Sequence, residues 1–258
     1  NFLKLFGIVA ILLVSIGFIL FGVLFRRDIA LATRYATDTD EKTYLILLQN
    51  SLELRPTGGF VGNFIELTLK GTEVVDYQVY NTNEFDEGKD GLPAPEPFEE
   101  MLNVDTLQMR DGNWSPDFPT TAQTMMELYE IQGGEKELDG VIGITAEILP
   151  RLIDLTGPVY LEGFDEPINA DEALLTIQYD TNFGFLERGL EREDRKQSIV
   201  ELAEILMERV ERATYLEKLE IAGLVYDMAR ENHIKMYVED EVAQKRIKEL
   251  GFDGAIAE

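Results

Sequence analysis

The chain begins with a long apolar run. Leu5–Phe25 contains 21 residues without a charge. At a rise of about 1.5 Å per residue, a helix of this length spans roughly 30 Å, the thickness of the bilayer hydrocarbon core. A cleaved secretory signal has a shorter apolar core and a small-residue cleavage site, whereas Arg26 and Arg27 follow this run directly. We therefore predict an uncleaved transmembrane anchor at residues 1–27.

Beyond the anchor, the apolar pattern changes to one typical of strands. Residues 28–42 are polar, and we predict a short juxtamembrane stalk there. Thr43–Asn50 is an apolar run rich in strand-forming residues, which predicts a buried strand. Asn63–Leu69 and Glu73–Tyr80 flank a Lys-Gly turn and predict a hairpin. Shorter strands are predicted at Val141–Ile144, Val159–Leu161 and Ile234–Val238.

Helical spacing of apolar residues dominates the second half of the chain. The clearest helix is Asp194–Arg212, whose apolar residues recur on one face. Further helices are predicted to begin near Pro119 and to cover Ala146–Leu155, Asn169–Tyr179, Leu216–Asn232 and Asp240–Leu250. Residues 81–100 are rich in Gly, Pro and acidic side chains, which predicts a mobile loop long enough to cover a site.

Strands interleaved with helices predict the fold class, an α/β domain with a mixed sheet over residues 43–258. The domain therefore follows a transmembrane helix and a stalk. The chain stops after Ala257 and Glu258 without a terminating element, so we expect the domain to continue beyond this sequence.

Composition and charge exclude several kinds of chemistry. The 258 residues include no cysteine and one histidine, His233, which excludes disulfides, thiolate metal sites and multi-histidine metal sites. Lys and Arg total 23 against 49 Asp and Glu, a net charge of -26. Because such a chain repels polyanions, we expect no nucleic-acid partner. The charges that flank the anchor leave its orientation in the membrane open.

Two glycine-marked polar segments are candidates for ligand binding. LELRPTGGFVG follows the first strand, and Arg55 there either binds a phosphate group or forms a salt bridge in a tight turn. In MRDGNWSPDFP, the carboxylates of Asp111 and Asp117 either hold a divalent cation beside Arg110 or form a loop that caps the next helix. Both interpretations of each segment remain open.

A third candidate segment, ERGLEREDRK, forms the densest basic patch of this acidic chain. It contains Arg188, Arg192, Arg195 and Lys196. The alternatives are an anion-binding wall and a solvated helix face with local Glu-Arg pairs. His233 precedes a predicted strand, where a structural hydrogen bond is more common than a role as general base.

Several of these motifs together resemble one bacterial family. They are LLQNSLELRPTGGFVG, RDGNWSPDFPTTAQ, DGVIGITAEILPRLIDLTGPVYL, RKQSIVELAEILMERV and ENHIKMYVEDEVAQKRIKELGFDGAIAE. On these motifs the chain is identified as a member of the domain-of-unknown-function family 4012, from about Thr43 to Glu258. This resemblance implies a membrane-anchored protein that is associated with envelope polysaccharide biosynthesis.

The order of the parts also resembles the LytR–CpsA–Psr glycopolymer transferases, more distantly. This resemblance implies an extracytoplasmic α/β/α domain in which arginines bind the pyrophosphate of a polyprenyl-linked glycan and acidic residues hold Mg²⁺. Arg55 corresponds to the early arginine of that family, Arg110 and Asp111 to its Arg-Asp pair, and Arg192, Arg195 and Lys196 to its late basic cluster. Met109 stands where that family has proline, and Arg55 is followed by Pro-Thr-Gly-Gly rather than Ser-Asp.

The resemblances imply two alternative functions. In the first, the protein is a metal-dependent transferase of glycosyl phosphate, with Arg110 and Asp111 as catalytic residues. Arg55, Arg192, Arg195 and Lys196 then bind pyrophosphate, and Asp111 and Asp117 hold Mg²⁺. In the second, it is a non-catalytic envelope protein that binds a glycopolymer or organises an assembly. The expected partners are the lipid bilayer, a lipid-linked glycan and other envelope proteins.

Overall fold

The computed structural model describes residues 34–35, 37–71, 73–191 and 197–256. The predicted anchor at residues 1–27 lies outside these ranges, as do Arg192, Arg195 and Lys196. None of the helices within the described ranges has the length and apolar character needed to cross a bilayer.

The centre of the described part is a five-stranded mixed sheet. The seven strands are β1 (Glu41–Asn50), β2 (Phe60–Lys70), β3 (Glu73–Asn81), β4 (Leu92–Pro93), β5 (Thr106–Leu107), β6 (Gly140–Thr145) and β7 (Ile234–Val238). The order in the main sheet is β3-β2-β1-β6-β7, and β4 pairs with β5 separately. Only the β1–β6 pair of the main sheet is parallel. The carboxyl ends of β1 and β6 therefore lie at the same edge.

Nine α-helices accompany these strands in the described ranges. They are α1 (Thr82–Asp86), α2 (Glu96–Leu102), α3 (Phe118–Ile131), α4 (Ile148–Thr156), α5 (Ala173–Tyr179), α6 (Phe185–Glu187), α7 (Gln197–Arg212), α8 (Tyr215–Arg230) and α9 (Glu241–Leu250). A π-helical turn, Asp180–Gly184, joins α5 to α6 without a break. We call the continuous segment 173–187 the α5–α6 rod.

Successive side chains of a strand point to opposite faces of the sheet, and in this protein both faces are covered. Tyr44 and Ile46 of β1 belong to a first core, which α4, α7, α8 and α9 cover. Leu45 and Leu47 belong to a second core, which α3 covers. Burial on both faces explains why β1 reads as a continuous apolar run. The predicted α/β class with a mixed sheet is confirmed.

Two local predictions were wrong. Residues 81–100 do not form a plain loop, since they contain α1, β4 and the start of α2. The Asn81 side chain caps α1 by accepting the Asn83 N–H at 3.0 Å, and Phe98 of α2 is buried against the Trp114 ring. Val159–Leu161 is not a strand either, because only Val159 pairs, in an isolated bridge to Ile168.

Candidate functional site

The loop that joins β1 to β2 contains the RPTGGF sequence and is held by its own backbone. The Phe60 N–H donates to the Glu53 carbonyl at 2.9 Å, and the Gly58 N–H donates to the Arg55 carbonyl at 3.1 Å. Gly59 has φ of 141°, and a Cβ there would lie 2.1 Å from the Asn50 carbonyl oxygen. Only glycine fits this position, which agrees with the tight-turn interpretation of this segment.

A buried amide network joins this loop to the NWSPDFP segment. The Thr57 hydroxyl oxygen accepts from Gln49 Nε2 at 2.7 Å and from Asn113 Nδ2 at 3.0 Å. Asn113 Nδ2 also donates to the Gly59 carbonyl at 2.8 Å. Gln49, Thr57 and Asn113 are all nearly inaccessible to solvent. The two most specific motifs of the sequence are therefore parts of one structure.

Two of the predicted arginines meet at one carboxylate. Arg55 Nη2 lies 3.1 Å from Asp111 Oδ1, and Arg110 Nε lies 3.6 Å from Asp111 Oδ2. The Arg55 guanidinium also lies over the Phe60 ring, 5.3 Å from its centroid. The structure thus brings Arg55 of the first candidate segment to Arg110 and Asp111 of the second.

A second carboxylate, which the sequence analysis missed, lies beneath Arg110. Asp86 is buried, accepts the Met109 N–H at 2.9 Å and lies 3.9 Å from Arg110 Nε. Burial raises the pKa of Asp86, and the backbone N–H groups of Arg110 and Met109 oppose that effect. In the sequence Asp86 looks like any member of an acidic loop. The two arginines therefore face two carboxylates, and the four charges sum to zero.

Asp117 forms the cap of α3. Its Oδ2 accepts the Thr120 N–H at 3.0 Å and the Thr120 hydroxyl at 2.6 Å, while Oδ1 accepts the Ile256 N–H at 3.0 Å. Burial favours a higher pKa of Asp117, but these hydrogen bonds outweigh it and lower the pKa. The capping interpretation is confirmed.

The described carboxylates do not fit a Mg²⁺ ion as they stand. Asp111 is occupied by two guanidinium groups and Asp117 by three hydrogen-bond donors. Within the described ranges, no three Asp, Glu or His side chains form a group suited to a metal ion. A Mg²⁺ ion at Asp111 would have to compete with Arg55 and Arg110. The magnesium site stays a prediction.

A groove of about 370 Å³ opens at the carboxyl ends of β1 and β6. Its floor is apolar and comes from the sheet, α4, the α5–α6 rod and α7. The floor residues are Leu48, Val79, Ile144, Ile148, Leu149, Leu174, Ile177 and Ile199. Its rim is rich in amides, namely Asn50, Asn63, Asn81, Asn83, Gln178 and Asn182, and the buried Gln49 also lines it. Phe60, on which Arg55 rests, also lines it.

The structure describes the predicted basic segment only in part. Arg188 lies within the described ranges and pairs with buried Asp180, with Nη2 2.6 Å from Oδ2. Ser198 donates to the same carboxylate at 2.6 Å. Ile199 of α7 lines the groove, so the chain that resumes at Gln197 borders it. Arg188 therefore pairs with a buried aspartate eight residues away, not with a neighbouring glutamate on a solvated helix face as the alternative predicted.

A buried lysine, which the sequence analysis also missed, supports the loop from below. Lys235 of β7 donates from Nζ to the Thr57 carbonyl at 3.0 Å and to the Asn232 carbonyl. Burial lowers its pKa from 10.5 to about 8, and no carboxylate of the described residues forms an ion pair with it. A lysine inside the apolar strand IKMYV was the available signal.

His233 directly precedes β7. Its Nδ1 is hydrogen-bonded to the Thr145 hydroxyl at 3.0 Å. Burial lowers the pKa of His233, and the nearby Arg151 charge acts in the same direction. The hydrogen bond predicted for His233 is present.

A larger cavity, of about 660 Å³, lies beside β2 and β3 but contains none of the predicted site residues. Its buried carboxylate, Glu66, lies 3.0 Å from Lys136 Nζ and also accepts a hydrogen bond from the Tyr129 hydroxyl. Because this carboxylate already has its partners, we take the groove as the candidate site.

Comparison with solved structures gives distant likenesses. Protein gbs0355 from Streptococcus agalactiae is 13% identical, with a TM-score of 0.49 over 85% of this chain and 76% of that one. TagV from Bacillus subtilis is 12% identical, with a TM-score of 0.41 over 84% and 82% of the two chains. The B. subtilis protein yvhJ, described as a transcriptional regulator, is 12% identical, with a TM-score of 0.40 over 83% and 77%. Likenesses at this level say nothing about activity.

The sequence comparisons are more decisive. No curated protein matches this chain. The sequence profile described as protein of unknown function, DUF4012, matches residues 39–181, more than half of the chain. The chain therefore belongs to the DUF4012 family.

Proposed function

We propose that this chain is a membrane-anchored cell-envelope protein that binds polyprenyl-pyrophosphate-linked polysaccharide. The observation that carries the proposal is the groove at the carboxyl ends of β1 and β6, which combines an apolar floor with an amide-rich rim. Its volume lies in the range of about 300–1,000 Å³ that is typical of small-molecule sites. An isoprenoid on the floor and a polar head at the rim would match both surfaces.

The rim suits sugars better than it suits a bare phosphate. Its amide side chains offer both donors and acceptors to hydroxyl groups. Among the described lining residues, Glu53 is the only charged one, and it accepts a hydrogen bond from Asn50 Nδ2 at 2.9 Å. The rim therefore contributes no positive charge of its own.

The pyrophosphate needs cations from outside the rim. Arg55 and Arg110 are the candidates among the described residues, since Arg55 lies over the Phe60 ring and Arg110 Nη1 donates to Asn83 Oδ1 at 3.2 Å. Both Phe60 and Asn83 line the groove. Because Asp86 and Asp111 balance Arg55 and Arg110, a doubly charged head requires further positive charge. We propose that Arg192, Arg195 and Lys196 supply it, since Ile199 of the following helix already borders the groove.

In the catalytic form of the proposal, the glycosyl phosphate passes to an acceptor hydroxyl. The hydroxyl oxygen attacks the sugar-linked phosphorus, and the bond to the bridging oxygen breaks, so that polyprenyl phosphate leaves. The hydroxyl proton passes to a carboxylate, for which Asp111 is the candidate. Arg110 would stabilise the charge that develops on the phosphoryl oxygens.

A second candidate function is glycopolymer binding without transfer. It is favoured by the state of Asp111, whose two oxygens both face arginines. A carboxylate whose two oxygens already pair with guanidinium groups serves to hold those side chains in place. In this alternative the ion pairs of Asp111 with Arg55 and Arg110 hold the RPTGGF loop in place, and the groove alone binds the glycopolymer.

The experiment fills the groove with one substitution. Gly62 lines it, and a Cβ there would meet only the Phe60 ring, at 3.4 Å. Gly62→Leu should therefore fold normally and lose binding of geranylgeranyl pyrophosphate, measured on the full chain in detergent micelles. The matched control is Gly223→Leu on α8, where a Cβ meets nothing within 4 Å.

Equal binding by the wild type and Gly62→Leu would refute the groove as the lipid site. Geranylgeraniol, which lacks the pyrophosphate, separates the contribution of the lipid from that of the head. Incubation of the wild type with a lipid-linked glycan and an acceptor then decides between the two functions. Release of polyprenyl phosphate supports transfer, and binding without release supports the second candidate.

A further inference from the structure

The α5–α6 rod exposes an unusual row of large apolar side chains. Leu175 is 67% exposed, Tyr179 52%, Phe183 63% and Leu186 63%. Their spacing of three or four residues puts them on one side of a helix. The rings of Tyr179 and Phe183 are 6.0 Å apart, and the Tyr179 hydroxyl donates to Glu187 at 2.8 Å. We call these four residues the apolar stripe.

The stripe lies beside the groove. Leu174, Ile177, Gln178, Thr181 and Asn182 of the same rod line the groove. These residues alternate along the helix with those of the stripe. A surface that contacts the stripe therefore also lies at the edge of the groove.

The described chain starts at the opposite end of the sheet but on the same face. Arg34 pairs with Asp240, the cap of α9, at 2.8 Å, and Tyr35 packs against the first core. Ala173 and Ile177 of the rod belong to that core too. The ten residues of β1 separate this end from the groove by roughly 30 Å.

This separation limits how the groove can reach a lipid. Residues 28–33, between the predicted anchor and Arg34, span at most about 20 Å when fully extended. If the sheet stood upright on the bilayer, the groove would be held about 30 Å away from it. A lipid-linked ligand would then have to draw a length of about 30 Å of its chain out of the membrane before its head reached the rim. Placing the rod side of the domain on the bilayer removes the difficulty.

We propose that the apolar stripe docks on the surface of the bilayer that holds the anchor, so that the groove opens directly onto lipid. The inference rests on the membrane anchoring proposed above. Leu, Phe and Tyr suit the interface, where apolar bodies enter the acyl boundary and a hydroxyl stays in water. Because the chain is strongly acidic, apolar burial rather than charge attraction holds the domain there, and zwitterionic lipid is preferred to anionic lipid.

The absence of cysteine from the sequence makes a direct test possible. Phe183→Cys, labelled with an environment-sensitive fluorophore in the full chain, is reconstituted into phosphatidylcholine vesicles. Nitroxide-labelled lipids should quench it several-fold more strongly than a label at Met101→Cys. Met101 is a matched control because it is 73% exposed. It lies on α2, which follows β4 in the chain, and Leu92 of β4 packs against the second core rather than the first. Leu175→Cys should repeat the result, which excludes a local effect at residue 183.

Equal quenching at residues 183 and 101 would overturn the proposal. A second result would also overturn it. If nitroxide lipid does not quench the label at residue 183, and the label becomes more shielded from water as the protein concentration rises, then a second copy of the chain covers the stripe. Quenching at 183 should fall when phosphatidylserine replaces phosphatidylcholine.

Failure of docking is distinguishable from failure of the proposed function. Chains that do not float with the vesicles contradict the anchor, and the vesicles contain no isoprenoid, so the result is independent of groove binding.

Discussion

Replacing Lys235 with methionine should change how the stability of this protein depends on pH. Lys235 is 8% exposed, and its ammonium group is held by two backbone carbonyls, those of Thr57 and Asn232. Burying a charge without an opposite charge costs free energy, because the protein interior solvates it less well than water does. Methionine has a similar length and no charge, so Lys235→Met removes that cost together with two hydrogen bonds.

The magnitude follows from the pKa of the lysine in the two states. Burial lowers the pKa of Lys235 in the folded state from 10.5 to about 8, whereas the unfolded chain keeps the ordinary value. Between these pH values the unfolded state retains a proton that the folded state has released, so the free energy of unfolding rises with pH across this window. With each pKa unit worth about 1.4 kcal/mol, the rise is about 3 kcal/mol.

The assay is urea unfolding of the full chain in nonionic detergent, followed by circular dichroism from pH 7 to pH 11. The stability of the wild type minus that of Lys235→Met should increase by about 3 kcal/mol between pH 8 and pH 10.5. Burial raises the pKa of Tyr44 and of Tyr129, and the stability they contribute is lost above pH 10 in both proteins, so it cancels in the difference.

A control of opposite sign is Lys136→Met. Burial favours a lower pKa of Lys136, but hydrogen bonds to Asp76 and Glu66 outweigh it and raise the pKa. The wild type should therefore lose stability relative to Lys136→Met as the pH rises above 10.5. Parallel curves for the wild type and Lys235→Met would refute the reasoning, since they would mean that the two carbonyls fully compensate the burial of the charge.

Two further substitutions test local geometry. Gly59→Ala should destabilise the chain by at least about 1 kcal/mol in urea unfolding, because its Cβ would lie 2.1 Å from the Asn50 carbonyl oxygen. It should also shift the emission of Trp114, the only tryptophan, because Asn113 bonds to the Gly59 carbonyl; unchanged emission would contradict this coupling. Thr214→Ala should cost about 1 kcal/mol in the same assay, because Thr214 and Glu217 form the capping box of α8.

The elements that the sequence predicted well are those with strong local patterns. β1 was predictable because burial on both faces makes it continuously apolar, and α7 because its apolar residues recur on one face. α2 was missed because its formation depends on a tertiary contact. Three prolines near residue 95 favour a loop locally, whereas burial of Phe98 against Trp114 stabilises the helix.

The candidate site could be predicted only in pieces. The RPTGGF and NWSPDFP segments each looked functional, but Asn113 and Thr57, which join them, are 56 residues apart in the chain. Lys235 and Thr57 are separated by 178 residues. No local pattern encodes such contacts, since the sheet topology creates them when β7 is placed next to β6. The groove has the same origin, because its lining comes from eight elements spread along the chain from β1 to α7.

Three features that cost stability lie at one end of the sheet. Gly59 adopts a backbone conformation that other residues avoid. Lys235 buries a charge without a carboxylate partner among the described residues, and the apolar stripe leaves four large side chains in water. The buried carboxylate Glu66, which lies away from this end, shows the contrasting arrangement, since Lys136 and Tyr129 satisfy it. Departures from local rules tend to gather where a protein acts, because selection there favours a ligand or a surface over stability. Lys235 and Gly59 both act on the loop beside the groove, and the stripe flanks its other side. The ligand proposed above, entering the groove from a lipid surface, would account for all three costs.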